Sequence, residues 1–344
     1  MTKKKSKVLL IYTGGTIGMM QDARSGELKP FDFKSLTEQI PELNKFEIEL
    51  SSISFKEPID SSNMHPKVWS ELVTLIQKNY TKVDGFVILH GSDTMSFTAS
   101  ALSFMLENLA KPVILTGSQL PIGMIRTDGK ENLITAIEIA GAKQKNGKPI
   151  VNEVCIYFEY KLYRGNRTFK YNSQHFDAFK SPNYPTLAEA GVDIKYNTVA
   201  FLKQNKKPLK VYSILDNDIA VLKLFPGISK KITSAIINTQ GIKAIVLETF
   251  GAGNATTQNW FIDELKNAIA KNIIVLNITQ CAEGKVIQGM YQTSSALKKI
   301  GVIGGADLTF ESAVTKLMFL LGQNLSHTQI KKQLQLNLRG ELTP

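Results

Sequence analysis

The sequence is short of cysteine, arginine, histidine and long apolar runs, and each shortage removes a class of protein. No apolar run reaches the roughly 18 residues that a membrane span needs. The start, MTKKKSKVLLIY, passes from lysines into a short strand-like run with no cleavage site behind it, so the expectation is a soluble, unexported protein. Only Cys155 and Cys281 occur, with no CxxC pair and no histidine close in sequence to either, which argues for a reducing compartment and against a zinc site. Of the 41 lysines and arginines behind a net charge of +11, only five are arginine: Arg24, Arg126, Arg164, Arg167 and Arg339. Readers of phosphate and base edges concentrate arginine and interleaved aromatics, and this chain does neither. Its charge reads as a lysine-rich solvated surface, with no nucleic-acid partner. The four histidines stand at the end of an apolar run (His90), before a proline (His65) and in polar stretches (His175, His327), and offer no evident base.

What is present is alternation. Across 344 residues, 43% of them hydrophobic, the length suggests two domains. Apolar runs KVLLIY (7–12), GFVILH (85–90), PVILTG (112–117) and EVCIYF (153–158) are separated by segments of helical spacing, such as PKVWSELVTLIQKNY (66–80). Short continuous apolar strands between helices imply an α/β, doubly wound parallel sheet covered on both faces. This first domain is expected over 1–192. The polar, lysine-rich stretch 193–212 reads as a linker. Over 213–344 the runs IAVLKLFPG (219–227), KAIVLETFGAGN (243–254) and NIIVLNITQC (272–281), then the helical ESAVTKLMFLLGQ (311–323), predict a second, smaller α/β domain.

The chemistry gathers after strands. VLLIYTGGTIG (8–18) ends in glycines spaced G-G-x-x-G with no lysine following, so it fits neither a P-loop nor a dinucleotide fingerprint. The glycines still permit a tight turn and leave the Thr16 hydroxyl at the carboxyl end of the first strand, where open α/β sheets bind ligands. GFVILH runs into GSDTM, delivering Ser92 and Asp93, and EPIDSSNM (57–64) delivers Asp60, Ser61 and Ser62. Each of the last two also reads as plain helix capping. Together they give hydroxyls and carboxylates without a metal-ligand cluster or a Ser-His-Asp arrangement, and a weakly nucleophilic alcohol then needs another base, for which a lysine of lowered pKa serves.

The pieces YTGGTIG (12–18), DGFVILHGSDTMSFTASALSFMLENL (84–109), KPVILTGSQLP (111–121), LYRGNRTFK (162–170), GVIGGADLT (301–309) and NLRGELTP (337–344) together resemble the cytoplasmic, type I bacterial L-asparaginases. That resemblance implies hydrolysis of L-asparagine to L-aspartate and ammonia through a threonine acyl-enzyme, with no cofactor and no metal. It implies Thr16 as nucleophile and Ser92, Asp93 and Lys170 as a hydroxyl-acid-lysine set. It further implies Asp60, Ser61, Ser92, Asp93, Ser118, Gln119 and, from a partner subunit, Asn254 as substrate contacts. The amides of Gly15, Gly91 and Ser92 are the candidates for stabilising an oxyanion. The family's fold is a large N-terminal and a small C-terminal α/β domain, assembled as a homodimer or homotetramer in the cytoplasm. Three departures stand out: Ser92 where most members have threonine, no tyrosine between 17 and 44, and Glu248 where some members place an arginine of an allosteric asparagine site. The alternatives are a tRNA-dependent amidotransferase subunit of the same fold and a non-catalytic amino-acid binder that keeps the pocket.

Overall fold

The computed structural model describes residues 5–21, 28–30, 40–204, 206–289 and 292–343. The chain divides into two units, Met1–Ser213 and Ile214–Pro344.

In the first unit the four apolar runs become β1 (Ser6–Tyr12), β3 (Gly85–Leu89), β4 (Val113–Thr116) and β5 (Val154–Phe158), and the last three are buried along their whole length. They pair in parallel, as strands buried on both faces do, and β2 (Ile48–Ser54) pairs in parallel with the other side of β1. Helices α1 (Pro66–Asn79), α2 (Met95–Met105) and α3 (Gly129–Gly141) lie between these strands in sequence. In α1, Val68, Leu72 and Ile76 are buried, and Pro66 occupies the first turn, where its missing N–H costs nothing.

The α/β sheet is parallel at its centre, as expected, and gains an antiparallel edge that the apolar runs did not announce. After β5 come β6 (Lys161–Arg164), β7 (Ala188–Ala190) and β8 (Ile194–Tyr196), all antiparallel, giving the order β8-β7-β6-β5-β4-β3-β1-β2. The β5–β6 hairpin turns on Glu159 and Tyr160 alone, with φ of 46° and 64°, a two-residue loop of the kind that follows strand twist. Asn132 Oδ1 accepts the Glu159 amide at 2.9 Å and helps hold that strained turn. The stretch 193–212, read as a linker, is held in the first unit. It supplies β8, and Lys210–Val211 pairs with Leu106–Glu107. These strands are two or three residues long, too short to show a period in sequence.

The order reverses at β1: the chain moves from β1 outward to β2, then returns to the far side of β1 as β3. Such a switch point opens a crevice at the carboxyl ends of the flanking strands. Thr16 and Ser92 follow those two strands.

The second unit is a four-stranded parallel sheet in sequence order, β9 (Ile219–Lys223), β10 (Ala244–Thr249), β11 (Ile274–Thr279) and β12 (Ile303–Gly304). Its core joins Leu222, Leu247 and Val275 to Phe261 and Leu265 of α5 (Asn259–Ala270), which follows α4 (Lys230–Ile237). After α6 (Gln292–Lys299) come α7 (Phe310–Leu321) and α8 (His327–Leu334). Lys316 of α7, fully buried, meets Glu341 at 2.6 Å, and Glu341 also accepts the amides of Leu338 and Arg339, so the C-terminal tail is tied down.

Candidate active site

Two glycines let three segments meet beyond β1 and β3. Gly14 and Gly15 have φ of 134° and 88°, which side chains rarely adopt. A Cβ on Gly14 would sit 2.1 Å from the Ile59 carbonyl, and one on Gly15 would sit 2.3 Å from the Gly91 amide nitrogen. The end of β1 therefore lies against both the 57–63 loop and the 90–93 loop. Ile59 donates its amide to the Thr13 carbonyl at 2.8 Å, and Thr94 Oγ1 donates to the Ser61 carbonyl at 2.7 Å, tying all three together. Thr16 opens the short 3-10 turn Thr16–Gly18 and is half-buried. Its hydroxyl bonds to no described residue, so the structure brings Thr16 to the same strand ends without linking it to Lys170.

Ser92 and Asp93 do not cap α2; Thr94 is its N-cap residue, and no side chain caps it there. They are engaged by Lys170 instead, whose Nζ donates to Ser92 Oγ at 2.9 Å and to Asp93 Oδ1 at 2.6 Å. The Lys170 side chain is 16% exposed and that of Asp93 is 66% exposed, so the set opens toward solvent on the acid's side. Lys170 arrives there from a buried turn, Gly165–Arg167, that follows β6. A Cβ on Gly165 would meet the Ala99 methyl of α2 at 2.9 Å, so glycine lets this turn pack directly on the helix that Ser92 and Asp93 precede. Arg164, at the end of β6, is buried against Glu153 at 2.6 Å and stacks its guanidinium 4.2 Å from the centre of the Tyr184 ring.

Asp60 realises the capping reading: its Oδ1 accepts the amide and hydroxyl of Ser62 at 2.8 and 2.7 Å, which hold its carboxyl below the ordinary range. Ser61 beside it is buried, and a Cβ on Gly91 would sit 2.5 Å from its hydroxyl oxygen. From the far side, Gln119 Oε1 accepts the Ser92 hydroxyl at 3.2 Å. Ser118 is buried next to it and donates to the Leu120 carbonyl. Asn254 belongs to the second unit, where it closes a tight turn by exchanging backbone hydrogen bonds with Phe250. The tyrosine-free stretch 17–44 includes 22–27 and 31–39, which fall outside the described residues.

Sequence reasoning missed the supports of this site. Asp128, 7% exposed, accepts the amides of Gln119 and Leu120 and the side-chain amide of Asn132, which in turn donates to the Gly117 carbonyl at 3.0 Å. Burial outweighs these donors and leaves the Asp128 carboxyl above its ordinary range. The i,i+4 pair Asp128 and Asn132 was a legible signal at a helix start, but nothing in sequence said that it faces the 117–120 loop. His90, at the end of its apolar run, is a buried histidine held by fixed partners. It is fully buried, and burial pushes it down to about 4. Its Nδ1 lies 2.7 Å from the Gly91 carbonyl, and Nε2 faces the Thr98 hydroxyl, which also receives the Trp69 indole N–H. A carbonyl only accepts, so Nδ1 carries the proton and the ring is neutral.

Residues 7–202 match the family model "Asparaginase, N-terminal", and residues 218–334 match "Glutaminase/Asparaginase C-terminal domain". L-asparaginase 1 of Escherichia coli (strain K12) is 44% identical over 342 residues, covering 99% of each chain. The crystal structure of L-asparaginase I from Vibrio cholerae superposes with a TM-score of 0.90 at 40% identity, covering 99% of this chain and all of that one. A glutamyl-tRNA(Gln) amidotransferase component from Pyrococcus abyssi is 32% identical over 342 residues, which are 98% of this chain and 77% of that protein. On these matches, made along both units, the chain belongs to the asparaginase family.

Proposed function

We propose that the protein is an L-asparaginase that hydrolyses L-asparagine to L-aspartate and ammonia, with Thr16 as the acylated nucleophile. The observation that carries this reading is Lys170 bonded at once to Ser92 and Asp93 beside the β1 turn. In the first half-reaction the Thr16 oxygen bonds to the side-chain amide carbon and the carbon–nitrogen bond breaks. The Thr16 proton leaves with the nitrogen as ammonia. In the second, water adds to the acyl-threonine ester and the Thr16 oxygen leaves with a proton. Ser92 and Lys170 form the relay that takes up and returns these protons, and Asp93 balances the lysine charge. The amides of Gly15, Gly91 and Ser92 stabilise the negative oxygen of each tetrahedral intermediate. Ser61 and Asp60 receive the substrate α-carboxylate through hydroxyl and backbone, Asp93 pairs with its α-ammonium, and Ser118 and Gln119 line the side-chain end.

The same reading makes the protein a cytoplasmic homodimer or homotetramer in which Asn254 reaches the active site of a partner subunit. Support for the compartment is that both cysteines are free thiols, one of them buried. The higher identity, over nearly the whole of both chains, favours the asparaginase over the amidotransferase reading. Ammonia release from purified protein, measured with asparagine and with glutamine, tests the assignment. Release from asparagine is expected; release from neither substrate, or from glutamine alone, would overturn it.

A further inference from the structure

We infer that Gln119 is a positioning residue for the Ser92 hydroxyl, supplying through a hydrogen bond the rotamer restraint that a threonine methyl would supply at that position. The inference rests on reading Ser92 and Lys170 as the proton relay. The far end of the Gln119 side chain fixes its orientation: Nε2 donates to the His175 main-chain carbonyl at 3.0 Å. A carbonyl only accepts, so the amide has one permissible orientation, with Nε2 on His175 and Oε1 on Ser92. Oε1 accepts and cannot donate, so at 3.2 Å it takes the single hydrogen of the Ser92 hydroxyl. The Ser92 oxygen is then left to accept from Lys170 Nζ at 2.9 Å. In the resting enzyme every bond in the row Lys170 to Ser92 to Gln119 to His175 thus has a direction; when the relay runs, the Ser92 hydrogen turns from Gln119 to Lys170 while the oxygen stays in the χ1 well that Gln119 selects.

Both ends of the Gln119 side chain are held. Its backbone amide donates to the buried Asp128 carboxylate at 3.0 Å. The His175 carbonyl belongs to a loop folded on Asn172, whose Oδ1 accepts the amides of Gln174 and His175 at 2.8 and 3.0 Å. That loop leaves directly from Lys170. Gln119 therefore spans the segment after β4 and the segment after Lys170, with Ser92 hydrogen-bonded to both sides of the span. A serine has three staggered χ1 wells and no methyl to choose among them, whereas a threonine is restricted by its branch. At Ser92 the choice falls to the hydrogen bonds, and Gln119 is the partner that is not itself part of the proton relay.

Gln119→Met keeps the length of the side chain and removes both bonds. The expected result is a fall in kcat of about tenfold that exceeds the rise in KM from losing a pocket-lining amide, because a misaligned relay slows the chemistry itself. Ser92→Thr introduced into Gln119→Met should recover kcat to within about threefold of Ser92→Thr alone, the signature of coupling between the two sites. A raised KM with unchanged kcat would make Gln119 a pocket wall only, and an equal loss in both backgrounds would remove the coupling; either result overturns the inference. An atomic-resolution crystal structure of Gln119→Met gives a second readout that needs no turnover. Ser92 should occupy more than one χ1 rotamer there and a single one in the wild type, and a single unchanged rotamer in the variant contradicts the restraint. If wild-type protein releases no ammonia from asparagine, it is the functional reading that fails, and the rotamer comparison still decides the role of Gln119.

Discussion

Both units bury an ion pair among the described residues, and the two pairs have different consequences. In the first unit Arg164 and Glu153 lie 2.6 Å apart with side chains 4% and 3% exposed, and in the second Lys316 and Glu341 lie 2.6 Å apart with both fully buried. Burial pulls both cations down, but Glu153, with Tyr184 beside it, leaves Arg164 above its ordinary value, while Glu341 does not compensate Lys316, which stays below. The difference follows from the heads: a guanidinium delocalises its charge, bonds in a plane and stacks on a ring, whereas an ammonium is a compact, strongly hydrated charge. Their places in the chain differ too. Arg164 ends the strand from which the turn to Lys170 departs, and the Thr168 hydroxyl donates to its carbonyl at 2.7 Å, so this pair braces the chain that leads to Lys170. Lys316 fastens a tail.

The largest expected effect lies in the first unit. Lys170→Met should reduce kcat by about three orders of magnitude or more while substrate binding and melting temperature stay close to wild type, measured by single-turnover kinetics and calorimetric titration. Equal loss of binding and turnover would make Lys170 a substrate contact. Next, Glu153→Gln and Glu341→Gln each leave a cation buried without its counter-charge, and each should lower stability by about 3 to 5 kcal/mol in denaturant unfolding. Only Glu153→Gln should also lower kcat of the folded enzyme. Loss of kcat in both, or in neither, would break the contrast between a bracing pair and a fastening pair.

Each unit also buries a group that links stability to pH, and the two act in opposite senses. His90 in the first unit has a folded-state value of about 4 against an ordinary value of 6.5, so below 6.5 the unfolded chain binds a proton that the fold refuses. Its contribution, about 3 kcal/mol in full, is present above that value and lost as pH falls toward 4. Glu311, at the start of α7, is raised from 4.5 to about 7, first by burial and also by Glu248. The fold then holds a proton that the unfolded chain releases, and the second unit loses stability as pH rises from 4.5 through 7. Hydrogen exchange resolved by unit and corrected for intrinsic rates should show a loss of protection toward pH 4 in the first unit that His90→Gln removes, and a loss toward pH 7 in the second that Glu311→Gln removes. Parallel changes in both would contradict the two assignments.

The smallest effect concerns regulation. Glu248 is 9% exposed with Lys223 at 3.6 Å, and a carboxylate side chain there has no donor with which to hold the carboxylate of an amino-acid effector, as an arginine would. Initial rates should depend hyperbolically on asparagine, with a Hill coefficient near one at several enzyme concentrations. A coefficient well above one would require an effector anchor elsewhere, since couplings of about 1 to 3 kcal/mol need a specific contact.

Legibility in the sequence followed strand length and burial. KVLLIY, GFVILH, PVILTG and EVCIYF announce themselves because parallel strands covered on both faces carry unbroken apolar runs. The edge strand Ile48–Ser54 alternates with mostly exposed positions, and the antiparallel strands of 188–196 span three residues each, so neither gives a usable run. At the site, TGGTIG and HGSDT were readable as hydroxyls beyond strands. The meeting of Lys170 with Ser92, 78 residues away, was not, because it depends on a buried turn packed against Ala99 and on an ion pair to Glu153. Only the family resemblance pointed to Lys170. Beyond its spacing to Asn132, the place of Asp128 stayed hidden because it receives the backbone amides of Gln119 and Leu120, and the His175 carbonyl is itself a backbone group; no side-chain pattern reveals either.

Whether Thr16 carries the acyl group is tested most directly by trapping it there. Lys170→Met should be mixed with asparagine, quenched in acid within the first turnover, digested and analysed by peptide mass spectrometry. A β-aspartyl ester on the peptide containing Thr16, absent when Thr16→Ala is added to the same background, is the predicted result. An adduct on Ser92, or ammonia release from Thr16→Ala at the wild-type rate, would contradict it.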